Sequence, residues 1–156
     1  MTVADIDLMA GLLGDPFVMR FYPRAKTRDE AMRWIEWNQN NYAKHGYGLW
    51  IVETHDGDFV GDCGLTWQQV GDSAMLEVGY HTATQHQGLG YATEAAAACL
   101  ELATEVIGEP HIVAIINPAN APSRRVAQKL GMDVEQEREV YGLPAVVYGR
   151  HDEVPR

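Results

Sequence analysis

Apolar residues recur at helical spacing through the first third of the chain. Residues 3–13 predict a short helix, and residues 16–21 predict a further short turn. Thr27 and Glu30 then match a capping box, with Thr at the N-cap and Glu three positions later, and this pattern opens a helix that runs to about His45. The positions that repeat at three- and four-residue steps along this helix are Ala31, Trp34, Ile35, Asn38 and Tyr42.

The period then changes to that of β-strands. Residues 49–54, 59–67 and 74–82 are each predicted as a strand, and each contains β-branched or aromatic residues. Turn signals rich in Asp and Gly separate them at residues 55–58 and 70–73. Three consecutive strands joined by tight turns predict an antiparallel meander.

The second half alternates strands with helices. A strand–helix–strand unit there predicts a right-handed parallel crossover, so the fold class is α/β (α+β), with helices packed on a mixed sheet. The predicted segments are a polar loop at 84–90, a helix from 91 that ends near Gly108, a strand at 111–116, a helix at 120–130, and a hairpin of residues 132–141 and 145–149 around residues 142–144.

Composition and charge narrow the class of protein. The 156 residues, 46% of them hydrophobic and 22% charged, suit one globular domain over residues 1–156. The formal net charge of −10 disfavours a nucleic-acid partner, because such proteins present a basic surface. It would instead attract a cationic acceptor such as an amine, and it requires any anionic cofactor to be held by backbone geometry.

Targeting signals and metal motifs are not recognisable in the sequence. No apolar run approaches the roughly 20 residues of a membrane span, and the start of the chain lacks the basic region of a secretory signal. We therefore expect a soluble, cytoplasmic protein. Cys63 and Cys99 lack metal-type spacing, so we expect two free thiols and no metal.

The sharpest local feature is the loop Gln85-His86-Gln87-Gly88-Leu89-Gly90 between a strand and a helix. Small residues let the backbone approach an anion, and the first N–H groups of a helix carry partial positive charge, so a pyrophosphate suits this position. The two glycines can equally serve only to build a turn. A P-loop is excluded because Gly-Lys-Ser/Thr is missing, and Thr93 stands where a dinucleotide-binding fingerprint has Gly or Ala.

This loop carries a family resemblance. Gln85-x-x-Gly88-x-Gly90 resembles the Q/R-x-x-G-x-G/A acetyl-CoA signature of the GNAT N-acetyltransferases. The flanking runs 77–80 (EVGY) and 90–95 (GYATEA) look like the RimJ/RimL-type branch of that superfamily. Downstream, Asn117-x-x-Asn120-x-x-Ser123 followed by Lys-Leu-Gly-Met at 129–132 resembles a second element of the same branch. The resemblance covers roughly residues 47–149.

The resemblance implies acetyl-CoA as co-substrate and a mostly antiparallel sheet with a splayed central parallel pair. In this family the pantetheine arm follows the strand before the loop, which implies contacts with the backbone of Tyr80, His81 and Thr82. Asn120 would bind pantetheine amides, although it is equally expected as a helix N-cap. Ser123 would lie near the sulfur and protonate the departing thiolate. The N–H groups implied to face the pyrophosphate are those of Gln87, Gly88, Leu89, Gly90, Tyr91 and Ala92.

The implied chemistry is direct attack of a neutral amine on the thioester carbonyl, which a backbone N–H polarises. Something must take the proton of an alkyl ammonium, and Glu77 is our first candidate because it lies on the strand that enters the loop. The alternative is that Glu77 faces outward, since strand parity decides its side. Glu137, Glu139 and Tyr141 are the further candidates.

Two departures from the family pattern stand out. Many GNAT enzymes carry a general-acid Tyr where this chain has Ala127, so Ser123 or water must supply that proton. The strand with which the family usually begins is also not recognisable ahead of the first helix. We therefore expect either a shortened sheet with an exposed edge or cover from a partner subunit, which would make a homodimer.

The predicted function is acetyl transfer to a primary amine, either a protein N-terminus or a small molecule. Trp37, Trp50 and Trp67 are the candidates for the acceptor groove, because aromatic side chains beside acidic groups suit a cation. The alternative is a catalytically weak acyl-CoA-binding regulatory module. A nucleotide-binding oxidoreductase is a third and weaker interpretation of the same glycines.

Overall fold

The computed structural model describes residues 1–153. Within them, the helices are α1 (Ile6–Leu13), α2 (Arg28–His45), α3 (Tyr91–Leu102) and α4 (Ala121–Lys129). The strands are β1 (Leu49–Glu53), β2 (Phe59–Val70), β3 (Ser73–Thr82), β4 (His111–Ile116), β5 (Asp133–Val140) and β6 (Leu143–His151). Short 3-10 turns cover Val3–Asp5 and Thr84–His86, and a π-helical turn at Ala103–Ile107 continues α3.

The strands form one sheet in the order β1-β2-β3-β4-β6-β5. β1 pairs with β2 antiparallel, and β6 pairs antiparallel with both β4 and β5. β3 and β4 form a parallel pair, which confirms the predicted crossover connection through α3. Residues 1–48 contain no strand, so β1 ends the strand order of the described residues.

The chain divides into two compact units, and β2 and β3 each contribute residues to both. The first unit comprises residues 1–64 and 80–92, and the second comprises residues 65–79 and the chain from Thr93 onward. The apolar core of the first unit is built from Met9, Leu12, Leu13, Val18, Met19, Ala31, Ile35 and Ala83. A core cluster of the second contains Val70, Val113, Val140, Ala145 and Val147.

Helix α2 begins and ends at the residues that its sequence predicts. The Thr27 hydroxyl accepts from the Glu30 N–H at 3.2 Å and the Glu30 carboxylate accepts from the Thr27 N–H at 2.7 Å, which completes the capping box. Gly46 ends the helix in the left-handed conformation, with φ of 82°. Buried Asn38 then accepts the N–H of Leu49 at 2.8 Å, so α2 holds the first residue of β1.

The last hairpin turns earlier than the sequence predicted. Tyr141 and Gly142 form the turn, both at positive φ (49° and 76°), and Pro144 lies within β6 opposite Glu139. A two-residue turn with two positive φ values matches the right-handed twist of its strands, and this outweighs the turn tendency of the Gly-Leu-Pro run. β2 also extends to Val70, beyond its predicted end.

None of the helices within residues 1–153 has both the length and the apolar character needed to cross a membrane.

Candidate active site

The loop after β3 adopts a backbone shape that requires its two glycines. Gly88 has φ of 75° and Gly90 has φ of 90°, a region that side chains other than Gly rarely enter. A Cβ at either position would meet nothing within 4 Å, so conformation rather than crowding demands glycine. Leu89 between them is 65% exposed, which leaves this side of the loop open to a ligand.

The helix that follows this loop presents backbone donors. α3 begins at Tyr91, and the first N–H groups of a helix have no partner within it. Among the described residues, the N–H groups of Gly88, Leu89 and Gly90 also donate no hydrogen bond to the chain. The Gln87 N–H, which the prediction included, instead donates to the Thr84 carbonyl at 3.3 Å. The run 88–92 is therefore the set of backbone donors at the positive end of a helix dipole, which suits an anion.

Part of the backbone at the end of β3 is hydrogen-bonded to side chains of the same chain. The His81 N–H donates to Asp62 Oδ1 at 3.0 Å, and the Thr82 carbonyl accepts from Gln87 Nε2 at 2.9 Å. The His81 N–H is therefore already bonded to Asp62 on β2. The contacts of the Tyr80, His81 and Thr82 backbone with a pantetheine arm stay predictions.

A buried Asp–His pair, which the sequence analysis missed, lies in the first unit. Asp62 is 1% exposed and His81 is 9% exposed, and His81 Nδ1 lies 2.8 Å from Asp62 Oδ1. Trp34 Nε1 donates to the other carboxylate oxygen at 3.1 Å. The signal that could have revealed this pair is an acidic residue within the apolar first half of the strand β2.

The pair is arranged as in enzymes that use histidine to take a proton. An ionised carboxylate only accepts, so the His81 Nδ1–H donates to Asp62, and in the neutral imidazole Nε2 is then the nitrogen that carries the lone pair. Nε2 is buried and has no hydrogen-bond partner among the described residues. An imidazole oriented by a carboxylate, with its second nitrogen uncommitted, can act as a general base.

Aromatic rings surround this imidazole. The ring of Tyr22 lies 5.4 Å from that of His81 and the ring of Trp34 lies 5.7 Å from it. Trp37, a predicted acceptor-groove residue, packs 5.1 Å from Trp34 and so belongs to the same aromatic group. Trp50 instead stacks on Tyr42 at 6.5 Å, away from this group's contacts. Trp67 lies in the second unit, half-buried on β2.

Glu77 lies where the parallel pair in the second unit stops. The register of β3 with β4 contains Leu76 opposite Ile112 and Glu77 opposite Val113. Further along β4, the Ile115 N–H donates to Glu77 Oε1 at 3.3 Å. The half-buried Glu77 carboxylate thus turns toward β4, so the alternative of a fully outward-facing side chain is excluded.

The start of α4 brings Asn120 and Ser123 together. Asn120 Oδ1 accepts the Ser123 N–H at 3.1 Å, so Asn120 is the N-cap of α4, one of its two predicted roles. Arg124 does not extend freely into solvent, because its Nε donates to the buried Tyr148 hydroxyl at 3.0 Å and its guanidinium also donates to the Pro118 carbonyl. The hydrogen bond to the Tyr148 hydroxyl raises the pKa of Arg124.

Comparison with known proteins decides the family. The sequence matches the family described as "Acetyltransferase (GNAT) domain" over residues 1–133, most of the chain. It belongs to the GNAT acetyltransferase family. It is 39% identical over 140 residues to the uncharacterised protein YkkB of Bacillus subtilis, an alignment that covers 89% of this chain and 81% of that protein.

Solved GNAT structures share the fold of this acetyltransferase. An acetyltransferase from Agrobacterium tumefaciens superimposes with a TM-score of 0.85 at 22% identity, covering 97% of this chain and 88% of that one. The protein yncA of Salmonella typhimurium, solved with its cofactor acetyl-CoA, gives a TM-score of 0.74 at 20% identity, with coverage of 96% and 90%. The six-stranded sheet with its parallel pair is thus a GNAT fold.

This GNAT acetyltransferase has a buried alanine at the position of the usual tyrosine. Ala127, where many relatives carry that tyrosine, is completely buried in the second unit. Of the further base candidates, Tyr141 is committed to a structural role, since its hydroxyl donates to Gln68 Oε1 at 2.9 Å and accepts the Gln69 N–H at 3.0 Å. Glu137 and Glu139 line an open groove of about 380 Å³ and are exposed.

Proposed function

We propose that this GNAT acetyltransferase moves the acetyl group of acetyl-CoA to a primary amine by direct attack in a ternary complex. The observation that carries the proposal is the loop 88–92, whose left-handed glycines and unused N–H groups suit a diphosphate. The likeness of the chain to the Salmonella protein solved with acetyl-CoA supports acetyl-CoA as the co-substrate. The resemblance of its motifs to the RimJ/RimL-type branch supports a protein N-terminus as acceptor, with a small-molecule amine as the alternative.

The proposed residue roles follow the reaction. The amine nitrogen bonds to the thioester carbon, the carbon–sulfur bond breaks, the departing thiolate takes one proton and a base takes another from the amine. Ser123, at the start of α4, is the proposed proton donor to the thiolate. Asn120 Nδ2 is proposed to bind a pantetheine amide, since only its Oδ1 serves as the cap. Tyr80 and Thr82 are proposed to contact the pantetheine through their backbone.

Two side chains compete as the proton acceptor. Glu77, the candidate from sequence, is half-buried and already accepts a backbone N–H from Ile115. His81 has an uncommitted Nε2, a carboxylate that orients it, and aromatic neighbours suited to a cationic amine. A positioned general base contributes about 10²- to 10⁴-fold to rate, so removing the true acceptor is easily measured.

Paired variants separate these two candidates. Glu77→Gln keeps an oxygen that can accept from Ile115, and His81→Asn keeps an amide donor toward Asp62 while removing the Nε2 lone pair. The variant that removes the acceptor lowers kcat by about 100-fold or more near neutral pH and loses less at high pH, where the amine deprotonates itself. CoA affinity should be unchanged in both. Unaltered pH–rate profiles in both variants would exclude both residues.

The acetyl-transfer proposal itself is tested by the release of free thiol. The protein is incubated with acetyl-CoA and a panel of peptides with free N-termini, polyamines and amino sugars. Turnover with at least one amine is expected, and the class accepted decides between protein and small-molecule acceptors. Binding of CoA without turnover on any amine would favour the alternative, a regulatory acyl-CoA-binding module.

A loop variant tests where the diphosphate binds. Gly88→Val forces a β-branched residue to φ of 75°, which costs on the order of 1–2 kcal/mol and displaces the neighbouring N–H groups, so we expect CoA affinity to fall about tenfold or more. Leu89→Ala is the matched control, because Leu89 is exposed and its removal leaves the glycines in place. Equal CoA affinity in both variants would mean that the phosphates bind elsewhere.

A cytoplasmic location, a single domain and a homodimer that covers the edge strand β1 remain predictions. Analytical ultracentrifugation of the full chain at micromolar concentration tests the dimer directly, and a monomer at every concentration would refute it.

A further inference from the structure

Two histidines in the second unit stack across neighbouring strands. His111 on β4 lies directly opposite His151 on β6 in the antiparallel register. Residues opposite each other project to the same face of a sheet, which brings their side chains together. The two imidazole rings are parallel within 1°, with centroids 4.1 Å apart. Their Nε2 atoms therefore face the same region.

A carboxylate from a third strand reaches both rings. Glu135 Oε1 and Oε2 each lie 3.0 Å from His111 Nε2, and Oε1 lies 3.1 Å from His151 Nε2. Glu135 comes from β5, where the register with β6 shifts between Val134 and Gln136. Such a bulge adds one residue to a strand and redirects its side chain, which here turns Glu135 over β6 toward the histidines.

A glycine on β6 makes room for this crossing. Gly149 lies opposite Val113 on β4 and opposite Asp133 on β5. A Cβ at Gly149 would lie only 1.9 Å from Glu135 Oε1 and 2.1 Å from its carboxyl carbon. The Glu135 carboxylate thus occupies the space that any other side chain at residue 149 would fill.

The arrangement around Glu135 is more elaborate than a surface ion pair requires. The side chain of His151 is 70% exposed, and exposed ion pairs contribute little to stability. A stacked histidine pair, a bulge and a glycine nevertheless converge on one carboxylate. The three side chains offer two imidazole nitrogens and a carboxylate oxygen, all within 4.8 Å of one another.

We propose that His111, Glu135 and His151 bind one divalent transition-metal ion, with Zn²⁺ as the best fit. Two imidazoles and one carboxylate are a common zinc ligand set, and a water molecule can complete the tetrahedron. Mg²⁺ and Ca²⁺ are disfavoured because they require mostly oxygen ligands. The ion ties β4, β6 and β5 together. It stabilises the folded chain and takes no part in acetyl transfer, so the inference does not depend on the proposed function.

Titration of the metal-free full chain with Zn²⁺ tests the proposal. Calorimetry should give one site per chain, and saturating Zn²⁺ should raise Tm, because a ligand that binds only the folded state stabilises it. Co²⁺ in place of Zn²⁺ should give the visible absorption of a bound ion with imidazole ligands. NMR spectra of the histidine rings should show Zn²⁺ perturbing His111 and His151 in the unmodified protein, whatever the fate of the variants.

Variants identify the ligands. His151→Ala and Glu135→Gln should each weaken Zn²⁺ binding by at least about 100-fold, the upper end of what loss of an outer-shell partner alone costs. His55→Ala, in an exposed turn, and Glu137→Gln, exposed on the same strand as Glu135, are the controls and should bind as the unmodified chain does.

Gly149→Ala provides a test that leaves all three ligands in the chain. Its Cβ collides with the flexible end of Glu135 rather than with backbone, so we expect the variant to fold while the carboxylate is displaced. Zn²⁺ affinity should then fall as in Glu135→Gln, with an unchanged far-UV spectrum. The proposal is overturned if millimolar Zn²⁺ does not bind the unmodified protein, or if binding persists undiminished in His151→Ala and Glu135→Gln.

Discussion

At the residue scale, one buried carboxylate organises the candidate site of the first unit. Asp62 accepts three hydrogen bonds, from the backbone and the ring of His81 and from the indole of Trp34. A buried charge is tolerated only when it is paired and hydrogen-bonded, and here both carboxylate oxygens are used. Gly61 next to it lets the strands come close, because a Cβ there would lie 1.9 Å from the His81 carbonyl oxygen.

Asp62→Ala should therefore be strongly destabilising. It leaves the donors of His81 and Trp34 buried without an acceptor, and breaking a buried pair in this way costs about 3–5 kcal/mol. Urea unfolding followed by tryptophan fluorescence measures the loss. Asp56→Ala, in the exposed turn before β2, is the control and should change the free energy of unfolding by no more than about 0.5 kcal/mol. Equal stability of the two variants would show that the pair is not needed for folding.

At the element scale, α2 is defined by interactions at both ends. At its start, Glu30 completes the capping box and also forms a bidentate salt bridge with Arg24. The two guanidinium nitrogens of Arg24 lie 2.6 and 2.7 Å from the two carboxylate oxygens of Glu30. Toward its end, Asn38 accepts the N–H of Leu49 and the Tyr42 hydroxyl donates to the Leu49 carbonyl, so both backbone groups that open β1 are satisfied by α2. Burial raises the pKa of Tyr42 to about 12.

The start of α2 should make stability depend on acidic pH. The Arg24 guanidinium, and next the Thr27 N–H, lower the pKa of Glu30 from 4.5 to about 2. A carboxyl group with a lowered pKa in the folded state contributes stability above its unfolded pKa and loses it as pH falls through its folded pKa. Glu30→Gln should thus be less stable than the unmodified chain at pH 7, and the difference should shrink between about pH 4.5 and pH 2.

Urea midpoints at pH 7, 4 and 3 measure this difference. Glu36→Gln, at an exposed position on the same helix, controls for the loss of one negative charge and should show no such pH dependence. A constant gap between Glu30→Gln and the unmodified chain across this range would contradict the assignment.

At the scale of the whole molecule, the two compact units share two strands. β2 and β3 are continuous strands, and each contributes residues to both units, with the change of unit at Gly64 and at Gly79. A unit that loses its structure would therefore take part of each shared strand with it. This continuity supports the proposal of a single domain over residues 1–156.

Unfolding should accordingly be one cooperative transition. Three of the four tryptophans, Trp34, Trp37 and Trp50, lie in the first unit, so tryptophan fluorescence reports mainly on that unit, whereas far-UV circular dichroism reports on both units. The two signals should coincide along a urea titration. Two separated midpoints would show that the units unfold independently and that the chain behaves as two domains.

Local signals in the sequence determined most of the elements and the family. The capping box of Thr27 and Glu30 marked the start of α2, and the glycines at 88 and 90 marked the loop before α3. These features depend on residues within one turn of each other, where backbone preference and side-chain reach suffice to predict structure. The same short motifs carried the resemblance that the match to the GNAT domain confirmed.

Only the tertiary structure decided which distant side chains meet. Asp62 and His81 are 19 residues apart, and His111 and Glu135 are 24 apart. Their contacts follow from strand order, from register and from a bulge at Glu135, none of which a local pattern specifies. The predicted turn at residues 142–144 was wrong for a related reason. Pro144 pairs with Glu139 across the hairpin, and this pairing outweighed the local turn propensity. Local sequence thus determines where elements begin and end, and pairing between strands decides which chemistry they bring together.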